Sequence, residues 1–593
     1  MKLVATDPSR VRRFVHGTTV PTNIVLERTG ARTGVITTRG FADVLEIGRQ
    51  MRSHIYELQL DPETPVFLAP GARRVEVDER ISSEGNIIHP LRECSVISAV
   101  EALIDEGVTS IAVCLLFSFL NPLHERGVGK IIEQRWPNIS VSLSCEVDPA
   151  FREYERTVVT AFDAYIKPVV RHYLDDLSEE LGASGVHVPL QVMQSRGGIT
   201  AASTAASRPV RLFLSGPAAG VIGGSRAGQA VELTDVITVD IGGTSCDIAL
   251  VSGGEPLIRS DGQVDGYLVR VPMVDVNAIG AGGGSIAWLD AAGGIRVGPR
   301  SAGSEPGPAC YGFGGKQATV TDASVVLGFL NPDYFAGGSL SLNPKLAEQV
   351  VRDNVAEPLG LSLEDAAWGI HRVVNAQMAE GMRLVSIRQG HDPREFALVA
   401  LGGAGPVHAI PLAEELSIAK VVIPCHPGVL SAEGLLTAPI EHEVSAGFPR
   451  NLEGLEIDEI TVVLDGLDQQ CAQLMAGEAI DSDRVVVSYS ADVCYVGQSH
   501  YLAIVFDREN PMLLESIYAS FIRVHEQVFG YSTQSPAQIV NIRSVYQFSH
   551  TRIDRVVSSL EATGDIIKSE RSVMFEQTLR SNVPIYDLSL IHI

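Results

Sequence analysis

Residues 237–256, ITVDIGGTSCDIALVSGGEP, decide how the chain is read. From one residue earlier, "VITVD" (236–240) alternates as a strand does, "IGGTS" turns, and "CDIALV" (246–251) alternates again. Period-2 runs on both sides of a glycine turn describe a β-hairpin. Without Cβ atoms, Gly242 and Gly243 let main-chain N–H groups approach an anion closely, as in a phosphate-binding nest. Thr244 and Ser245 add hydroxyl donors. Asp240 ends the first strand, where it can hold Mg2+ or its water shell, because hard cations take oxygen ligands. Asp240 and Asp247 are the candidate catalytic acids. Taken alone, the same residues also fit an ordinary hairpin turn.

A second glycine turn lies downstream in "EFALVALGGAGPVHAIPLAEEL" (395–416). A strand ends in Gly402, Gly403 and Gly405, and Pro406 takes a first helical position. Such a strand-to-helix turn admits an adenine or ribose against bare backbone and adds a positive helix end; close strand–helix packing is the alternative. Hairpin first and strand–GGxG–helix later is the order found in the actin, Hsp70 and sugar-kinase superfamily. That similarity implies an α/β fold of two lobes, with the hairpin gripping the phosphates of ATP and the later turn its adenosine.

The rest of the chain sets limits. At 593 residues, a prior of roughly 150 residues per domain suggests three or four units. Strand and helix patterns alternate over 1–165, glycine-punctuated elements fill 186–480, and a smaller α+β pattern occupies 485–593. The stretch 156–185 reads as a long helical connector broken by Pro168. Lys plus Arg total 46 against 71 for Asp plus Glu, a net charge of −25 that would repel a phosphodiester backbone, so nucleic acid is excluded as a partner. The longest apolar run, "TSIAVCLLFSFL" (109–120), is well short of the roughly 20 residues that span a bilayer, so no membrane is expected. Eight scattered cysteines without a CxxC pair suit reduced thiols in a cytoplasm.

"FVHGTTVPTNIVLERTGARTGVITTRGFADVLEIGRQ" (14–50), "NPLHERGVGKII" (121–132), "EYERT" (153–157), "LSGPAAGVIGG" (214–224), the hairpin, "VTDASVVLGFLNPDYFAGG" (320–338) and "ALGGAGPVHA" (400–409) together resemble the hydantoinase A/oxoprolinase family. Its members include subunits of ATP-dependent N-methylhydantoinase, of 5-oxoprolinase and of the acetone and acetophenone carboxylases. The resemblance implies ATP and Mg2+ as cofactors, a hydantoinase B-like partner subunit, and a small cyclic amide or ketone as substrate. Relatives carry a further acid–glycine hairpin, of the DVGGTFTD kind, before the HGTT segment, and they continue beyond "SNVPIYD" (581–587); "LSLIHI" (588–593) resembles nothing in the family. The expectation is a chain truncated at both ends that lacks one of two phosphate clamps.

On this reading Asp240 serves the metal, Gly242, Gly243, Thr244 and Ser245 the phosphates, and Gly402, Gly403 and Gly405 the adenosine. Ser215, Gly216 and Pro217 form a helix start that either faces phosphate or packs on the sheet. Asp322 reads as an N-cap, His16 as a structural histidine and "PCHPG" (424–428) as a structural turn. Arg39 and Arg49 are candidates for an anionic substrate, and His124 with Cys145 for a metal. Three functions stay open: an ATP-dependent hydrolase of a cyclic amide, the ATP-binding subunit of a ketone carboxylase, and a non-catalytic nucleotide-binding module.

Overall fold

The computed structural model describes residues 7–50, 64–549, 566–575 and 578–586, so the terminal LSLIHI lies outside the described residues. Contacts divide the chain into a first unit, Met1–Ala218, Ile258–Val274 and Ala438–His550, and a second, Ala219–Leu257, Asp275–Thr437 and Thr551–Ile593.

The elements around the second unit's glycine turns are, in chain order, α1 (Ser215–Gln229), β1 (Val236–Ile241), β2 (Cys246–Ser252), β3 (Glu255–Pro256), β4 (Val276–Ile279), α2 (Val320–Val326), α3 (Leu363–Arg388), β5 (Ala397–Leu401), α4 (Gly405–Leu416), β6 (Val421–Val422) and α5 (Leu430–Thr437). The sheet order is β3-β2-β1-β5-β6, with β4 also pairing β2. β1, β2 and β3 are antiparallel, while β5 runs parallel to β1 and β6 parallel to β5. This is a mixed α/β sheet, antiparallel on one side of β1 and parallel on the other. Strand alternation gives the hairpin two faces. Ile237, Val239 and Ile241 pair with Leu250, Ile248 and Cys246, and all six enter one core with Val374, Met378 and Met382 of α3.

The opposite face carries Thr238 and Asp240, and α1 packs there. Gly220, Gly224 and Gly228 recur every four residues, and a Cβ on each would press on Asp240, Thr238 and Val236 respectively. A helix advances about 6 Å in four residues and a strand slightly farther in two. The glycine stripe therefore keeps step with alternate strand positions, and the helix backbone lies directly on the strand.

In the first unit, a seven-stranded sheet runs Phe14–His16, Leu190–Met193, Ile199–Ala201, Ile440–Asn451, Ala537–Phe548, Val486–Tyr495, Leu502–Phe506. Beside it, four parallel strands, Arg74–Val77, Thr33–Thr38, Ser110–Cys114 and Ser140–Leu143, form a second sheet. The helix Glu153–Ala183 is continuous through Pro168, contrary to the expected break. Every residue from Arg156 to Ile166 is buried, as are Val170 and Leu174. Burial at roughly 1.5–3 kcal/mol per large apolar side chain outweighs the about 3 kcal/mol that an interior proline costs.

The strands and helices of the C-terminal α+β pattern form as read, but they begin earlier than residue 485. Ile440–Asn451 pairs with Ala537–Phe548 along most of its length, and the helices Ile457–Gly477 and Leu513–Phe529 share one core with these strands. That pairing spans almost a hundred residues of chain and has no local signal. Among the described residues no helix is long and apolar enough to cross a membrane.

Candidate nucleotide site

At the hairpin tip, the turn closes with the Gly242 N–H donating to the Ser245 carbonyl at 3.1 Å. The Gly242 and Gly243 carbonyls accept from the N–H groups of Gly283 and Gly284 at 3.0 and 2.6 Å. Thr321 at the start of α2 locks this second glycine turn, its N–H and hydroxyl both donating to the Gly283 carbonyl at 2.8 Å. In a planar trans peptide the C=O and N–H point in opposite directions. The N–H groups of Gly243 and Thr244 share peptides with the two tied carbonyls and must therefore point away from residues 282–284. Neither meets a hydrogen-bond partner among the described residues. Gly243 and Thr244 are exposed, and a Cβ on Gly243 would meet nothing within 4 Å. Protein packing does not explain that glycine, whereas close approach of a ligand does.

Asp240 and Asp247 are direct partners across the ladder, so their side chains share a face. The Ser431 hydroxyl at the start of α5 donates to Asp240 Oδ2 at 3.2 Å. Burial raises the Asp240 pKa, opposed by that hydrogen bond. Burial, reinforced by the charge of Asp240, pushes Asp247 up to about 6. Two carboxylates held together without a cation are a poor arrangement at neutral pH, and one divalent ion sharing them would relieve it. Among the described residues no group of three His, Cys, Asp or Glu is placed to hold a metal. The pair suits a cation that keeps waters and phosphates as its other ligands, as Mg2+ does.

The raised pKa values carry a sign. Between about pH 4 and pH 6 the folded chain binds more protons than the unfolded one, so this pair costs stability as pH rises through that window. Asp247→Asn is expected to raise the metal-free unfolding midpoint near pH 7 and to leave it unchanged below about pH 4. Denaturant titrations of both proteins at the two pH values check this, and a variant that is less stable at neutral pH contradicts it.

The second glycine turn meets the first. Gly402 has φ +81°, and a Cβ there would collide with Asp240 Oδ1 and the Ile241 carbonyl. Its N–H donates to the Pro427 carbonyl at 2.9 Å, and the Ala404 N–H donates to the Ile241 carbonyl at 3.0 Å. Gly403 is exposed with nothing within 4 Å of its Cβ position, and Gly405 opens α4, whose N-cap Ala404 offers no side-chain acceptor. A buried polar tie holds α4 to α3: His408 Nδ1 lies 2.7 Å from Asn375 Oδ1, and Asn375 Nδ2 lies 3.0 Å from His371 Nδ1. The two imidazoles stack at 4.7 Å, and burial keeps both neutral, pushing His371 down to about 4.

Asp240, Asp247 and the two glycine turns are thus brought together. Ser215 and Gly216 fall in the first unit, where the Ser215 hydroxyl donates to the Thr18 carbonyl at 3.2 Å. Sequence reasoning did not single out Ser431, Thr321 or residues 282–284, which lie within the glycine-punctuated stretch 186–480.

Residues 156–444 match the Hydantoinase/oxoprolinase family and residues 2–136 its N-terminal region. The chain is 36% identical over 587 residues to caprolactamase subunit alpha of Pseudomonas jessenii, covering 97% of this chain and 84% of that one. The chain belongs to the hydantoinase/oxoprolinase family. Another relative in this family is the acetophenone carboxylase gamma subunit of Aromatoleum aromaticum, 34% identical with 82% of this chain and 69% of that one covered. The crystal structure of the ATP-dependent caprolactamase from Pseudomonas jessenii superimposes with a TM-score of 0.89 at 34% identity, covering 99% of this chain and 86% of that chain.

The remaining hydantoinase/oxoprolinase motif residues are occupied by the fold. Asp322 is not the N-cap of α2 but the third helical residue of a capping box with Thr319, and it also accepts from the Cys310 N–H at 2.8 Å. His16 Nε2 lies 2.6 Å from the Tyr173 hydroxyl. Arg39 pairs with Asp78 and Arg49 with Glu155, while His124 Nδ1 lies 2.7 Å from Glu79. Burial, followed by the charge of Glu125, raises the Cys145 pKa, which disfavours a thiolate ligand. His426 of the PCHPG turn lies 3.0 Å from Glu433.

Proposed function

We propose that this chain is the ATP-dependent subunit of a cyclic-amide hydrolase, phosphorylating the carbonyl oxygen of a lactam, hydantoin or 5-oxoproline ring to drive its opening. The observation that carries this reading is the hairpin tip, whose tied carbonyls leave the Gly243 and Thr244 N–H groups facing outward beside a carboxylate pair. A family relative that is an ATP-dependent caprolactamase supports the substrate class.

A ring amide resists water because resonance strengthens its C–N bond and the nitrogen leaves poorly. Transfer of the γ-phosphoryl group to the amide oxygen breaks the bond to ADP and forms an imidate-type phosphate. Water then adds at carbon, the ring C–N bond of the adduct breaks as nitrogen takes a proton, and a second water hydrolyses the resulting acyl phosphate to release phosphate and the ring-opened acid. Phosphoryl transfer depends mainly on positioning and charge neutralisation. Gly242, Gly243, Thr244 and Ser245 cradle the phosphates. Gly402, Gly403 and Gly405 bring bare backbone to the adenosine. Mg2+ held by Asp240 supplies positive charge to the phosphate oxygens. Asp247, across the ladder from Asp240, is the candidate base that accepts the amide N–H proton as the oxygen is phosphorylated. The partner is a hydantoinase B-like subunit, and the setting is cytoplasmic, in keeping with eight unpaired cysteines.

The test is ATP turnover by the chain with its partner subunit, assayed with ε-caprolactam, hydantoin, 5-oxoproline and acetophenone. The expected result is phosphate release stimulated by a cyclic amide, with formation of its ring-opened product and no need for bicarbonate. Turnover that requires a ketone and bicarbonate moves the chain to the carboxylase branch. Nucleotide binding without turnover on any of them makes it a binding module.

A further inference from the structure

The helices α3 and α4 each support one of the two glycine turns. α3 carries Val374, Met378 and Met382 into the core of the hairpin, and a Cβ on Gly381 would press on Ile248 of β2. α4 begins at the other turn, since Gly405 is its first residue. His408 follows one turn on, about 4.5 Å along the axis. The core shared by the two helices is apolar, with Val374, Met378, Ala409 and Leu412 in it. Among these sit His371, Asn375 and His408, at 1%, 9% and 1% exposure.

The hydrogen bonds of these polar side chains run in one direction. An amide oxygen only accepts and an amide nitrogen only donates. His408 Nδ1 therefore donates to Asn375 Oδ1 at 2.7 Å, and Asn375 Nδ2 donates to His371 Nδ1 at 3.0 Å. Burial keeps both rings neutral, so the single ring proton of His371 is on Nε2, which is buried and meets no partner among the described residues. Trp368 stacks on His371 at 6.3 Å.

A buried donor without a partner costs stability, and leucines at these positions would fill the space without one. Packing alone does not account for the residues. Register does. Apolar side chains tolerate several packings, whereas an N–H···O bond weakens steeply once misaligned. A second tie joins the same helices, with Arg383 Nη2 donating to Glu415 Oε1 at 2.9 Å. It lies about 12 Å further along α3 and about 10 Å further along α4, so the helices run side by side in one direction. That pair is exposed and weak, which leaves the buried chain to oppose axial sliding. We infer that His408, Asn375 and His371 form a positioning chain that fixes the register of α4 against α3, and with it the spacing of the adenosine turn from the phosphate hairpin. The inference rests on reading the two turns as one ATP site.

The experiment is calorimetric titration of MgATP into the full chain, with chemical denaturation of each protein alongside. His371→Leu/Asn375→Leu/His408→Leu removes every polar group of the chain together. It is expected to unfold at the same denaturant concentration as wild type or a higher one, yet to bind MgATP about tenfold more weakly, the scale of one hydrogen bond misplaced. A second pair of variants decides the matter without the triple one. The Asn amide in His408→Asn replaces the Nδ1–H donor, so MgATP affinity should stay within about threefold of wild type, whereas His408→Leu should lose about tenfold. Glu415→Ala, at the exposed tie, should leave affinity within about twofold. A triple variant that binds MgATP as wild type does overturns the positioning role. So does a His408→Asn chain that loses as much affinity as His408→Leu, or a Glu415→Ala chain that loses as much as the triple variant. If wild type binds no MgATP, the nucleotide reading fails and the inference with it. If wild type binds, the triple variant binds weakly and no cyclic amide stimulates turnover, the hydrolase reading fails and the positioning chain stands.

Discussion

Gly402→Val is expected to abolish measurable MgATP binding and to destabilise the chain by about 3–5 kcal/mol, the sum of left-handed strain and forced overpacking. Two separate facts produce the effect. The backbone at 402 sits at φ +81°, where a β-branched residue is strained whatever the space around it. The new Cβ would also press on the Asp240 carboxylate and the end of β1, neither of which can withdraw, because Gly402 and Ala404 are pinned by hydrogen bonds to Pro427 and Ile241. Gly403→Ala, one residue on, is the control. Its site is exposed with nothing within 4 Å of the Cβ position, so folding should change by no more than about 0.5 kcal/mol. Chemical denaturation of the two variants separates these outcomes. A Gly402→Val chain as stable as Gly403→Ala would mean that the two glycine turns do not meet at Asp240.

What could be read in advance divides along the range of the interaction. The β1–β2 hairpin and the β5–α4 turn were legible because each signal lies within some twenty residues: alternation, a glycine pair, a proline at a helix start. Ser431 was not, since it reaches Asp240 across 191 positions and a lone serine has no pattern. Residues 282–284 were visible only as part of a glycine-punctuated stretch, because their task of taking the hairpin carbonyls exists only once the sheet has formed. The same limit explains the boundary at 485. Strand Ile440–Asn451 follows a region of glycine turns in sequence, yet its partner is Ala537–Phe548. Pro168 misled for the opposite reason, because the local rule was sound and the burial around it stronger.

Asp240→Asn should lower ATP turnover by roughly 10²–10³, the scale of losing a group that neutralises transition-state charge, while the protein stays folded. Asparagine has nearly the same volume and can still accept from Ser431. It also removes a charge that burial disfavours, so metal-free stability should not fall. MgATP binding should weaken together with turnover, which a purely structural role for the carboxylate does not predict. Ser431→Ala refines the test. The serine hydroxyl is the one group opposing the upward shift of Asp240, so its loss should push that pKa higher and move the acidic limb of the pH–rate profile to higher pH. The plateau above that limb should fall far less than in Asp240→Asn, because the carboxylate is still present once ionised. If Asp240→Asn retains turnover within about threefold, Asp240 is not at the reacting phosphate. The outward N–H groups of Gly243 and Thr244 would then need another role.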